Sequence, residues 1–296
     1  MHEHIGCISN DLVRVFGKKW LDKEKLADFA VEILIALKEK YGIGLFVDGT
    51  PIDLGRDILL IKEVSVRANI PIVVSTGLYH YPSLFTSGHA ETEIASWLID
   101  EFENGIEGTD IKPGILKVAS DFNGITKDNE KRLSAIAIAQ KETNLPVYVH
   151  SVHKPDLAQN QLDILQRNIN SPEKIIFGHT SLNPDSEYLE RILDKGCYIC
   201  MDQCHCTKHS MDAIGKTFVQ LCLKGYTDKI LLSNDLCIYT DFGTREITGL
   251  HLTAEQQVEK FGHIFNTVYD SFIKNGGNRE DWDVMFRKNP IKVLNV

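Results

Sequence analysis

The chain has 296 residues, 43% of them hydrophobic and 25% charged, which is enough apolar material for one large core in a single domain over 1–296. A formal charge of −9 excludes the clustered Lys and Arg that a nucleic-acid binder needs to neutralise phosphates, so the expected partner is a small molecule. No stretch approaches the roughly 18 apolar residues of a membrane span, and no basic-then-apolar leader opens the chain, so the expected setting is cytoplasmic.

Taken in order, the chain opens on MHEHIG and then shows helical period over 22–40. Seven Val- and Ile-rich runs follow, at 45–48, 71–76, 114–120, 145–151, 174–179, 197–202 and 229–235. Amphipathic stretches at 56–68, 90–103, 128–143, 155–169, 185–195 and 211–224 separate them, and another covers 254–274. Continuous apolar strands imply burial on both faces, and strict alternation implies either an open doubly wound sheet or a closed barrel. The glycines Gly42 and Gly44 precede their strand, whereas a dinucleotide-binding turn would place them after it. An eighth strand has only MHEHIG to draw on. The first strand therefore reads as truncated to little more than His2-Glu3-His4, with poor order expected there and further apolar residues expected upstream.

Chemistry-bearing residues sit where the runs end. His2 and His4 are two apart, so an extended backbone points both to one side. Lys117, His150, His179 and Asp235 each fall near the C-terminal end of a later run. In a (β/α)8 barrel those ends share one rim, and four imidazoles with a carboxylate suit zinc, manganese or iron. A protonated lysine beside a dication is repelled, and burial already disfavours its charge. A neutral Lys117 amine that captures carbon dioxide as a carbamate becomes an anionic ligand able to bridge two metals about 3.5–4 Å apart. Seven cysteines read as reduced thiols with no disulfide, and Cys204, His205, Cys206 and His209 lack the paired spacing of a structural zinc site.

The motifs MHEHIG, GILKVAS, LPVYVHS, IIFGHTS, ILLSNDL and the closing KNP resemble the phosphotriesterase family, including its lactonases, within the amidohydrolase superfamily. The resemblance spans essentially the whole chain and implies a (β/α)8 TIM barrel. It implies that His2, His4 and Asp235 hold one divalent metal, that His150 and His179 hold another, and that carbamylated Lys117 bridges them. Zinc is the expected ion, with manganese, cobalt and iron as alternatives. The implied reaction is hydrolysis by a metal-bridging hydroxide, with Asp235 as the group that moves the proton. Family members also imply a homodimer.

Substrate choice belongs to the loops after the strands. Tyr79 lies just past the second of the seven runs, and Lys154, His205, Lys208 and Arg245 bring cations to an acidic protein, so an anionic substrate is expected. The stretch MDQCHC at 201–206 lacks an arginine that acyl-homoserine lactonases of this type carry, which favours a polar or phosphorylated sugar lactone. The alternatives are an organophosphate triester and, in another class, a non-catalytic small-molecule binding barrel.

Overall fold

The computed structural model describes residues 1–152, 154, 156–242 and 251–296; His153 and Arg245 lie outside them. Strand β1 His4–Cys7 comes first, the seven apolar runs become β2 Phe46–Asp48, β3 Ile72–Leu78, β4 Ile115–Ser120, β5 Val147–Ser151, β6 Ile175–Phe177, β7 Tyr198–Met201 and β8 Ile230–Leu232, and β9 Cys237–Thr240 follows them. Strands β2 to β8 pair in chain order, all parallel. The connecting helices include Lys23–Tyr41, Ile58–Ala68, Glu91–Asn104, Lys127–Thr143, Leu157–Leu165, Ser186–Leu193 and Met211–Leu223. Side chains of Asp22, Asp57, Thr126, Asp185 and Ser210 accept first-turn amides, which explains where five of these helices begin. The result is a (β/α)8 barrel. Among the described residues no helix is long and apolar enough to cross a membrane.

The two-residue period of each strand divides its side chains between two cores. Leu116, Val118, Val147, Val149, Phe177 and Ile199 face the helices. Ile115, Tyr148, Ile176, Tyr198, Cys200 and Leu231 form a separate cluster that fills the barrel. By the same parity Lys117 follows Ile115 inward, His150 follows Tyr148, and Asp202 follows Cys200. The polar site is thus the next layer above an apolar plug. Gly77 on β3 makes that layer compact: its φ is +138°, and a Cβ there would lie 1.9 Å from the Lys117 carbonyl oxygen.

The first strand corrects an expectation. Its ladder continues through Gly6 and Cys7, and it pairs with β9, a strand the apolar runs did not announce. On one side the Glu3 amide donates to the Val47 carbonyl (3.1 Å) and the Gly49 amide to the Glu3 carbonyl (2.9 Å). On the other, the Asp235 amide donates to the His2 carbonyl and the His4 amide to the Leu236 carbonyl, both at 2.9 Å. The seam expected to stand open is hydrogen-bonded on both flanks, and the His pair is held by it.

Candidate metal centre

Six side chains from five strands meet on the rim. His2 Nε2 lies 3.4 Å and His4 Nε2 3.1 Å from Asp235 Oδ1. His150 Nδ1 faces His179 Nε2 at 2.6 Å, and Lys117 Nζ reaches His2 Nε2 at 2.5 Å. Ligand atoms of His2, His179 and Asp235 lie within 4.8 Å of one another. His2, His4, Lys117, His150 and His179 are buried, and the Asp235 side chain keeps 13% exposure. His179, Gln203 and Asp235, at three successive strand ends, have φ near +59°, +56° and +58°. Such left-handed conformations cost about 1–3 kcal/mol each and cluster where a side chain must be re-aimed into a site.

The partners behind these groups decide which atoms face inward. Asp202, fully buried, accepts from His2 Nδ1 (3.0 Å), from His179 Nδ1 (2.9 Å) and amide (2.8 Å), and from the Tyr148 hydroxyl (2.5 Å). An ionised carboxylate only accepts, so both rings carry their proton on Nδ1 and, when neutral, turn a lone pair on Nε2 toward the centre. His4 Nδ1 is likewise engaged, by the Thr50 hydroxyl at 2.8 Å. The Gln203 amide donates to Asp235 Oδ2 at 2.5 Å. Asp202 ends the CYICMD run and is the residue that sequence reasoning passed over. Its strand-terminal position was a readable signal, but nothing local tells an orienting carboxylate from a ligand.

Burial dominates at His2, Lys117 and His150, whereas at His179 burial is outweighed by the Asp202 carboxylate, which holds the ring above its usual value. Burial pushes His2 down to about 3 and Lys117 down to about 8. His150 is also lowered by burial, and then by its neighbours His179 and Lys117. Burial works to raise Asp235, yet the His2, His4 and His179 rings hold it well below the usual carboxylate range. Two unprotonated imidazole edges, an anionic carboxylate and a lysine near its neutral form therefore share one buried layer. This donor set fits divalent cations that favour nitrogen and oxygen.

The other predicted residues scatter. Tyr79 joins the layer: its ring centroid is 5.1 Å from that of His150, and it lines a cavity of about 220 Å³ with His2, His4, Lys117, His150 and Asp235. Its backbone is pinned from behind, since the Asp53 carboxylate accepts its amide and buried Arg132 donates to its carbonyl. Lys154 instead donates to the Phe122 carbonyl at 3.0 Å, and Lys208 is an exposed side chain; neither lines that cavity. His205 borders a separate cavity of about 560 Å³ with Lys260 and His263. Asp121, also unforeseen, bridges His80 Nε2 at 2.9 Å and approaches His150 Nε2 at 3.8 Å.

A parallel barrel with this ligand layer above its plug defines a metal-dependent hydrolase. The phosphotriesterase family model matches residues 1–294, and the chain belongs to that family, whose members are binuclear metal enzymes. An aryldialkylphosphatase of Saccharolobus solfataricus is 32% identical over 295 residues, covering 99% of this chain and 93% of that protein. A phosphotriesterase homology protein of Mycobacterium tuberculosis is 29% identical over 309 residues, covering 99% and 92%. An N-acetyltaurine hydrolase of Dictyostelium discoideum is 24% identical over 310 residues, covering 100% and 81%.

Proposed function

We propose that the enzyme hydrolyses a small lactone or related ester, with a polar or phosphorylated sugar lactone as the preferred substrate. His2, His4 and Asp235 would hold one divalent cation, zinc by preference, His150 and His179 a second, and Lys117, as its carbamate, would bridge them. The observation that carries the metal reading is the pair of buried rings whose Nδ1 protons are both drawn to Asp202, which turns Nε2 of His2 toward Lys117 and Nε2 of His179 toward His150 in the shared layer. When bound, two cations lower the pKa of a water to near neutrality and polarise the substrate oxygen.

The remaining steps belong to the chain. Asp235, charged and partly open to the cavity, accepts the proton of the attacking water and returns it to the leaving oxygen, while the Gln203 amide holds its second oxygen in place. Tyr79 closes one side of the cavity, and its phenol stays protonated because burial pushes it far up, so it can donate to a substrate oxygen. A cavity of about 220 Å³, below the roughly 300–1,000 Å³ of drug-sized pockets, favours a small substrate over a long acyl chain. The anionic part of the proposal rests on Lys260, which borders a neighbouring cavity of about 560 Å³ with His205 and His263; Lys154 and Lys208 do not line the 220 Å³ cavity, and Arg245 lies outside the described residues. Removing a cation that meets a substrate anion should lower kcat/KM by about 1.5–3 kcal/mol.

Organophosphate triester hydrolysis is the second reading, favoured by the similarity to the Saccharolobus solfataricus aryldialkylphosphatase. One panel separates them. Metal-loaded protein in bicarbonate is assayed on phosphorylated and plain lactones, on triesters and on N-acyl amino sulfonates. Highest kcat/KM on a lactone supports the proposal; highest kcat/KM on triesters or acyl sulfonates rejects it. Full activity of metal-free protein would reject the metal reading itself.

A further inference from the structure

Three of the seven thiols pack as core residues should: Cys197 and Cys204 belong to the cluster under the helices, and Cys200 to the plug inside the barrel. Cys7 and Cys237 belong to none of the apolar clusters. Both line the cavity that also holds His4 and Asp235. Their sulfurs face each other at 3.6 Å. The pairing of β1 with β9 brings this about, since Cys237 stands beside His4 in the parallel register while Cys7 ends the same strand as His4. A ring nitrogen of His4 and the two sulfurs all lie within 4.8 Å of one another.

The spacing discriminates between uses of two thiols. Bonded sulfurs sit about 2.0 Å apart. Two thiolates on one tetrahedral zinc, each about 2.3 Å from the ion, sit about 3.8 Å apart. The observed 3.6 Å excludes the first and lies near the second, at the distance of two thiols in contact. Two sulfurs and one imidazole, with a fourth position open to the cavity, form a soft donor set that selects zinc or cadmium over magnesium and manganese.

We propose that His4, Cys7 and Cys237 form a thiophilic cation site in the wall of the active-site cavity, sharing His4 with the proposed catalytic centre but none of its other residues. His4 Nδ1 is held by Thr50, so only Nε2 is available, and the thiol site competes with His2 and Asp235 for that one atom. The site stands on its own geometry. Only its consequence, withdrawal of a ligand from the first catalytic cation, rests on the proposed hydrolase centre.

The test titrates metal-free protein with cadmium chloride and follows the ultraviolet thiolate-to-cadmium charge-transfer band. A band that saturates, resists a large excess of magnesium or manganese, is lost in Cys7→Ser and in Cys237→Ser, and persists in Cys206→Ser is the expected result. No band in the unmutated chain, or an equal band in both serine variants, overturns the proposal. Should a variant misfold, the unmutated chain answers alone: cadmium should shield Cys7 and Cys237, but not Cys206, from iodoacetamide, and equal labelling with and without cadmium overturns it. His150→Ala separates the two readings, because it breaks the proposed catalytic centre and should keep the cadmium band.

Discussion

Asp202 shows how one buried carboxylate sets the chemistry of two others' ligands. In Asp202→Asn the amide nitrogen can only donate, so one of the two rings must give up its Nδ1 proton and place it on Nε2, the atom turned to the centre. Metal affinity should fall by about 10–100-fold, read by competition with a chelator, with the fold retained. Unchanged affinity would mean the carboxylate is only structural. Lys117 carries a second prediction. Burial lowers its amine to about 8, so the neutral form, which alone combines with carbon dioxide, gains as pH rises through that value and is lost below it. Carbamate signal from labelled bicarbonate, measured by carbon NMR on metal-free protein, should therefore climb with pH across about 8. Lys117→Ala should lose metal and activity together, with partial rescue by short carboxylic acids; full metal content in that variant would count against the bridging role.

At the scale of elements, the barrel closes through Glu3. Its buried carboxylate accepts from the Ser233 hydroxyl and from the amides of Asn234 (2.7 Å) and Leu236 (2.9 Å), the two residues flanking Asp235. It thus ties β1 to the turn that aims Asp235, which sits in a left-handed conformation. Glu3→Ala leaves buried amides without an acceptor and should cost about 1–3 kcal/mol, read from the urea midpoint. Because the turn also loosens, kcat should fall more than KM changes. The seven apolar runs were legible because each is continuous and β-branched. Strand β9 was not, because CIYT follows the metal-type aspartate so closely that it reads as loop. Among the described residues its ladder partner is β1, more than 200 residues away in the chain, and a pairing of that separation leaves no local mark.

For the whole molecule, a metal held by the proposed centre would stabilise the fold as well as serve catalysis. Without cations, several desolvated groups share one layer with Lys117 against the His2 ring. A ligand that binds only the folded state stabilises it by about 4 kcal/mol when present at roughly a thousand times its Kd. Chelation should therefore lower the melting temperature, zinc should restore it, and equal melting with and without metal would contradict a centre formed by folding. The kinds of residue that supply this layer were legible in the sequence alone: His150, His179 and Asp235 fall near or just after strand ends, Lys117 lies within β4, His2 just precedes β1 and His4 begins it, and the two-residue period turns His2 with His4 to one side. Which nitrogen of each ring faces inward, which carboxylate stands behind them, and that Cys7 meets Cys237 were decided only by the tertiary structure. Those relations join strands far apart in the chain, where orientation depends on closure of the barrel and no local pattern records it.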